Sequence, residues 1–225
     1  MVTTFEQALT IYESKDYTRA RRLLVPLAEQ GDARAQAVLG DMCLDGHGAA
    51  PDNTAALQYY RAAAEANEPH AQNRLGHLFA EGLGVARDPE AAMVWFEKAA
   101  HQSHAMAQYN LGFMYHCGPV EVRDLQAAQY WYEKASAQGY AAAQYQLARM
   151  YATGQGVPAS SKKTLFWLNA AAQGGWPEAQ DKLGFLYESG GDVEQDWVEA
   201  RHWYERAAAS GYGPSLFKLG HLHRR

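Results

Sequence analysis

The sequence predicts an all-α fold, a right-handed α/α superhelical solenoid of 36-residue helix-turn-helix repeats. Three rows of residues carry that expectation. The pairs Leu39-Gly40, Leu75-Gly76, Leu111-Gly112, Leu147-Ala148, Leu183-Gly184 and Leu219-Gly220 follow one another every 36 residues without a slip. Asp52, Asp88, Asp124 and Asp196 keep the same step, with Ser160 in the fourth slot. So do Trp95, Trp131, Trp167 and Trp203, with Tyr59 in the first, and a glutamine row runs alongside at Gln36, Gln72, Gln108, Gln144 and Gln180. A unit this short cannot bury its own apolar face, so its neighbours must stack on it.

Within a unit the first helix comes first in the chain. Ala107, Leu111, Gly112 and Tyr115 share one face at helical spacing, and the register places first helices at 34–45, 70–81, 106–117, 142–153 and 178–189. Glycine inside a helix costs about 1 kcal/mol against alanine. Its recurrence therefore predicts close helix approach, with a neighbouring ring filling the gap. Ala148 in the fourth copy suggests that one methyl is tolerated there. A glycine loop such as Gly82-Leu83-Gly84 or Gly154-Gln155-Gly156 ends the first helix. The repeated Asp then stands where an N-cap belongs, its carboxylate able to accept free backbone N–H groups. Asp88-Pro89 is the clearest case, since proline suits the first turn. The second helix runs through Ala92, Trp95, Phe96, Ala99 and Ala100, and stops at Ser103, Gly139, Gly175 or Gly211, where a left-handed residue is favoured. Ser103, Ser136 and Ser210 read as helix-end residues.

The N-terminus differs. From Ala8 to Ala20 is 12 residues, whereas Gly76 to Ala92 and Gly112 to Ala128 are 16, so the first hairpin lacks a loop extension. Pro26 falls within its second helix at a solvent-facing register and predicts a local kink. The expected organisation is one solenoid domain over 1–225: an N-terminal hairpin at 1–31, five full repeats at 32–211 and a closing helix at 212–225.

The pattern Ala107-Gln108-x-x-Leu111-Gly112-x-x-Tyr115, with Gly154-x-Gly156-Val157 and Ala128-x-x-Trp131-Tyr132-x-Lys134-Ala135, resembles the Sel1-like repeat. That family is related to the tetratricopeptide repeat, with a longer loop inside the hairpin, and the short first hairpin is similar to a tetratricopeptide unit. The resemblance covers residues 32–223. It implies a non-enzymatic scaffold or adaptor that holds a partner protein or extended peptide in a concave groove. Two alternatives stand beside it: an immunity or regulatory protein neutralising one effector, and a hydrolase acting on cell-wall or β-lactam substrates.

Composition narrows the classes. Of 225 residues 48% are hydrophobic and 20% charged, and the net charge of −5 offers no basic surface for a phosphate backbone, so no nucleic acid is expected. No window nears the roughly 18 apolar residues of a membrane span. The start has no basic region followed by an apolar stretch, which predicts a cytoplasmic protein, or a periplasmic one if a leader has been removed. Cys43 and Cys117 are the only cysteines, and Cys43 takes a register held elsewhere by Phe79, Tyr115, Tyr151 and Tyr187, a core place. Paired cysteines of the kind some secreted relatives carry are absent.

Chemistry-bearing constellations do not emerge. His70, His77 and His116 lie along first helices without a carboxylate or cysteine at ligand spacing, so no metal site, cofactor or catalytic residue is assigned. What stands out is the stripe beside the packing face of the first helices, the concave side by analogy with tetratricopeptide grooves. It carries Asn73 and His77, then Tyr109, Phe113 and His116, then Tyr145 and Arg149, and last Asp181, Phe185 and Glu188. Rings in the middle and carboxylates towards the C-terminal end predict a partner segment with an apolar centre and a basic end.

Overall fold

The computed structural model describes residues 4–222, with side chains through 220; the expected terminal residues 1–3 and 223–225 lie outside the described part. Among the described residues there are α-helices and one short 3-10 turn, Val120–Val122, with no strand. The chain opens with α1 (Phe5–Glu13) and α2 (Tyr17–Glu29). The first helices are α3 (Ala33–Asp45), α5 (Pro69–Glu81), α7 (Ala105–Cys117), α9 (Ala141–Thr153) and α11 (Pro177–Ser189). They alternate with second helices α4 (Asn53–Glu65), α6 (Pro89–His101), α8 (Leu125–Ala137), α10 (Ser161–Gln173) and α12 (Trp197–Ala209), and α13 (Gly213–Leu222) closes the series. Each first helix starts one residue before the position the period predicts and ends on it.

The loops explain this regularity. Asp52, Asp88, Asp124 and Asp196 each accept backbone N–H groups from the turn they open, as does Ser160 Oγ from Lys163. Their own N–H groups return to carbonyls at the ends of the preceding helices: Asp88 to Phe79 at 2.8 Å, Asp124 to Tyr115 at 2.9 Å, Ser160 to Tyr151 at 2.9 Å. One residue thus satisfies orphan groups of both helices. The glutamine row spans the next turn: Gln36, Gln72, Gln144 and Gln180 each donate through Nε2 to the carbonyl eight residues earlier, near the end of the preceding second helix. Ser103 and Gly139 take φ of 63° and 81° after α6 and α8, as the stop signals predict. Ser210 is the C-cap of α12, but Ser136 is the next-to-last residue of α8 and lies buried with its hydroxyl unpaired.

The structure divides into two compact units, Met1–Ala107 and Gln108–Arg225, each with its own core. In the first, consecutive helices pack from α1 to α6 around Leu24, Leu39, Met42, Tyr60, Leu75 and Leu78. In the second they pack from α8 to α13, with Tyr132, Leu147, Met150, Leu168 and Leu183 buried. The first hairpin has the short connection expected, residues 14–16, and α2 runs through the exposed Pro26 without a break.

The Leu-Gly glycines lie against rings as expected, and with less room than one methyl needs. A Cβ on Gly40 would meet the Tyr60 ring at 2.5 Å, on Gly76 the Phe96 ring at 2.7 Å, on Gly112 the Tyr132 ring at 2.8 Å and on Gly184 the Tyr204 ring at 2.6 Å. In the fourth copy the ring position is Leu168, packed in one cluster with Ala148. Ala148 is accommodated because leucine replaces the ring, so tolerance there does not transfer to Gly112.

Candidate binding site

In the first unit the stripe is closed by its own side chains. Asp41 on α3 accepts the Tyr60 hydroxyl at 2.6 Å and His70 Nε2 at 2.8 Å, while Arg74 Nε stands 2.8 Å away as an ion pair off the hydrogen-bond line. Burial alone would raise the Asp41 pKa; the His70 contact, the Tyr60 hydroxyl and the Arg74 charge outweigh it and hold it below the usual value. Tyr60 is pushed far up by burial and by that carboxylate, so it remains a donor. Arg34 lies over the Phe5 ring at 4.3 Å and pairs with Glu6 at 3.2 Å. His104 accepts the Ala107 N–H through Nδ1 at 3.2 Å, an N-cap bond for α7. Its pKa falls to about 4 because burial, and then the charges of His70 and Arg74, disfavour a second proton. Of the two predicted contact residues here, Asn73 is 1% exposed, and His77 is partly buried with Nδ1 shut from water and unpaired. Asn73 faces inward because its register points into the helix packing.

The second unit keeps part of the stripe open. Tyr109 and Tyr145 are half-buried: the Tyr109 ring packs against Tyr140 at 5.3 Å, Tyr132 at 5.9 Å and Phe113 at 6.3 Å, and Tyr145 against Trp176 at 6.1 Å. Burial pushes both phenols up. Asp181 is 9% exposed and accepts Ser215 Oγ and Lys218 Nζ, each at 2.7 Å. Glu188 accepts the Tyr204 hydroxyl at 2.7 Å. The expected acidic end is therefore largely occupied within the chain, and the basic end foreseen for a partner segment loses its counterpart. The open residues are Phe113, 43% exposed, Phe185, 53% exposed, and the exposed Arg149. They hold one register on α7, α9 and α11. His116 contacts the Tyr132 ring edge-on at 6.0 Å and reaches Gln155 Oε1 at 3.4 Å.

Three features escaped the sequence reading. The hydroxyls of Tyr60 and Tyr204, repeat-related residues, each serve a carboxylate, whereas the fully buried Tyr132 hydroxyl has no partner. Lys218 neutralises Asp181 from the closing helix, a pairing whose only sequence signal was a cation at the register of Arg74. Tyr130 and Phe166, 51% and 63% exposed, form a second apolar row on α8 and α10, each edge-on to the tryptophan beside it. Among the described residues no helix is long and apolar enough to cross a membrane, and no three His, Cys, Asp or Glu side chains converge to hold a metal ion.

Comparison with known proteins agrees with this architecture. A Sel1 repeat protein from Oxalobacter formigenes is 30% identical, with a TM-score of 0.91 over 99% of this chain and 91% of that one. A protective antigen of uropathogenic Escherichia coli strains, described as displaying an SLR fold, is 33% identical, with a TM-score of 0.85 over 97% of this chain and 48% of its own length. An immunity protein from Pseudomonas aeruginosa shares the fold alone: 20% identity and a TM-score of 0.65 over 93% of this chain and 84% of that one. No curated protein matches the sequence. The Sel1 repeat model matches six times, at 11–32, 33–68, 69–104, 105–140, 141–176 and 177–212, the first match taking in the short N-terminal hairpin's second helix. Repeats that tile the chain from residue 11 to 212, on helices that follow the same step, place this protein in the Sel1 repeat family.

Proposed function

We propose that the chain is a non-enzymatic scaffold that docks an extended segment of a partner protein along the first helices of its second unit. The carrying observation is the open row Phe113, Arg149 and Phe185, at one register on consecutive first helices. Two half-exposed phenyl rings held at fixed spacing gain most by being covered, and such rings anchor interfaces well out of proportion to their area. Tyr109 and Tyr145 support the row from beneath, braced by Tyr140 and Trp176. An enzyme reading finds less support. The cavity lined by Tyr151, Ser160, Ser161, Thr164 and Asp192 has hydroxyls and one carboxylate without an imidazole or thiol to make a nucleophile–base pair. Immunity proteins share this fold at a level that lends this chain no effector.

Selection of a displayed library of short random peptides on the intact protein tests the reading. Enrichment of a recurrent sequence is expected on the wild type and should vanish on Phe113→Ala plus Phe185→Ala, with the helical circular dichroism and unfolding midpoint retained. Equal enrichment on the double variant would overturn the site. Exposed rings suit this test better than Tyr109 and Tyr145, whose removal would also open the core.

A further inference from the structure

In the first unit a carboxylate, Asp41, gathers a tyrosine hydroxyl, an imidazole and an arginine. The second unit again brings a tyrosine hydroxyl, an imidazole and an arginine near one another, the last two from other registers, and no carboxylate stands at the place of Asp41. Tyr132 occupies the place of Tyr60, and its hydroxyl is buried and unpaired. His116 packs on the same ring, its Nδ1 also buried and unpaired. Arg149 lies close enough for its charge to act on both the Tyr132 and Tyr109 phenols. Its guanidinium donates to Gln146 Oε1 at 3.3 Å, and among the described residues no carboxylate is ion-paired with it. Glu178 acts on Tyr109 and Tyr145 but makes no pair with Arg149. The register of Asp41 is filled by Phe113, which cannot accept a hydrogen bond.

We infer that the missing acceptor comes from the ligand: the stripe of the second unit recognises an acidic side chain in the partner segment, with Arg149 as its principal contact. The inference rests on the docking role proposed above and names its chemistry. An internal aspartate or glutamate is specified rather than a chain end, because open rings flank Arg149 one repeat away on both sides. The spacing also restricts the backbone. Tyr109 and Tyr145 each touch the residue that opens the next first helix, Tyr140 and Trp176, so the row steps by about one helix diameter, roughly 10 Å, and a polyproline II segment advances about 9 Å per turn of three residues. The recognised pattern is therefore apolar, two residues of any kind, acidic, two of any kind, apolar. Arg149, long and exposed, meets the carboxylate first. The shielded Tyr132 hydroxyl and His116 Nδ1 become its partners once the surrounding side chains give way.

The same peptide selection, read for composition, decides it. Enriched sequences should carry aspartate or glutamate three residues from apolar positions on either side. A synthetic peptide with asparagine or glutamine in that place should bind roughly tenfold more weakly or worse. Selection on Arg149→Glu, an exposed position whose folding is checked by its unfolding midpoint, should replace the acidic residue with lysine or arginine. Tyr132→Phe should weaken the acidic peptide and leave its amide counterpart unchanged, which a merely structural role would not do. Enriched sequences without an acidic residue, unchanged by Arg149→Glu yet lost on the double phenylalanine variant, would overturn the carboxylate and leave the docking site standing. Acidic recognition confined to a free C-terminus would overturn the internal segment. No enrichment on any form of the protein would overturn both readings.

Discussion

Tyr60 and Tyr132 hold the same place in two copies of one repeat, yet their surroundings differ in the one group that matters. Tyr60 donates to Asp41, which also holds His70 and Arg74, and the cluster is complete within the first unit. Tyr132 has a histidine against its ring and an arginine nearby, and its hydroxyl has nothing to donate to. Tyr204 shows the intermediate solution, donating to Glu188, which stands one turn further along the first helix than the register of Asp41. Packing preserves the ring in all three copies, because each fills the hollow over a glycine. The hydroxyl is free to vary in use. Structure and recognition are thus separated on one side chain, the ring serving the solenoid and the oxygen serving whatever carboxylate is supplied.

The strongest way to break this comparison is to empty the complete cluster. Asp41→Asn leaves His70 and Arg74 without their anion and is expected to cost on the order of 3 kcal/mol, read as a fall in the urea midpoint. Because the folded pKa of Asp41 lies below its ordinary value, its stabilisation is present above that value and is lost as pH falls through the folded pKa. The variant should therefore show a flatter acid limb below about pH 4. A midpoint and acid limb equal to wild type would mean that the cluster is decorative. Arg149→Gln, its counterpart in the open cluster, should leave stability within about 0.5 kcal/mol, as exposed positions do.

The ring itself sharpens the comparison next. Gly112→Ala must push the buried Tyr132 ring aside and is expected to cost about 1–3 kcal/mol, despite the better helix propensity of alanine. Adding Tyr132→Leu should recover most of that loss, since the pair then copies Ala148 and Leu168. Equal midpoints for Gly112→Ala and wild type would show that the hollow is not filled by the ring. The hydroxyls come third. Tyr60→Phe and Tyr204→Phe each remove a donor from a carboxylate and should cost about 1.5–3 kcal/mol. Tyr132→Phe removes an unpaired buried oxygen and should be neutral or stabilising. If all three variants lose equally, Tyr132 has an internal partner and the open cluster does not exist.

The period sets helix limits to a residue because an N-cap side chain at one register and a glutamine bridge recur from copy to copy, so local chemistry and long-range stacking agree. The stripe was legible as a register and not as a surface. Residues 73 and 181 share a register that helix packing turns inward, and the fate of Asp181 depends on Ser215 and Lys218, a whole repeat later. A hydroxyl without a partner leaves no trace in sequence at all. The glycine and its ring were visible together in four copies; reading Ala148 without Leu168 in the remaining one missed that the two positions change as a pair.

The same contrast reaches the helix starts. Asp32, Glu68 and His104 precede α3, α5 and α7 and accept backbone N–H groups there. Tyr140 and Trp176 precede α9 and α11 without a side-chain cap and instead brace Tyr109 and Tyr145 beneath the open row. The second unit has exchanged caps for support of its stripe. His104 caps through an imidazole, and its role as acceptor requires an unprotonated Nδ1. Folding lowers its pKa from 6.5 to about 4, so the unfolded chain takes up the proton first as pH falls. Its contribution is complete above pH 6.5, declines between 6.5 and about 4, and changes no further below that. His104→Asn keeps an acceptor at the cap and removes the titration. The difference in urea midpoint between variant and wild type should grow in the variant's favour from pH 7 to pH 4. A difference that stays constant over that range would show that His104 takes up its proton as readily in the folded chain as in the unfolded one, and that the cap bond is not what holds α7 at its start.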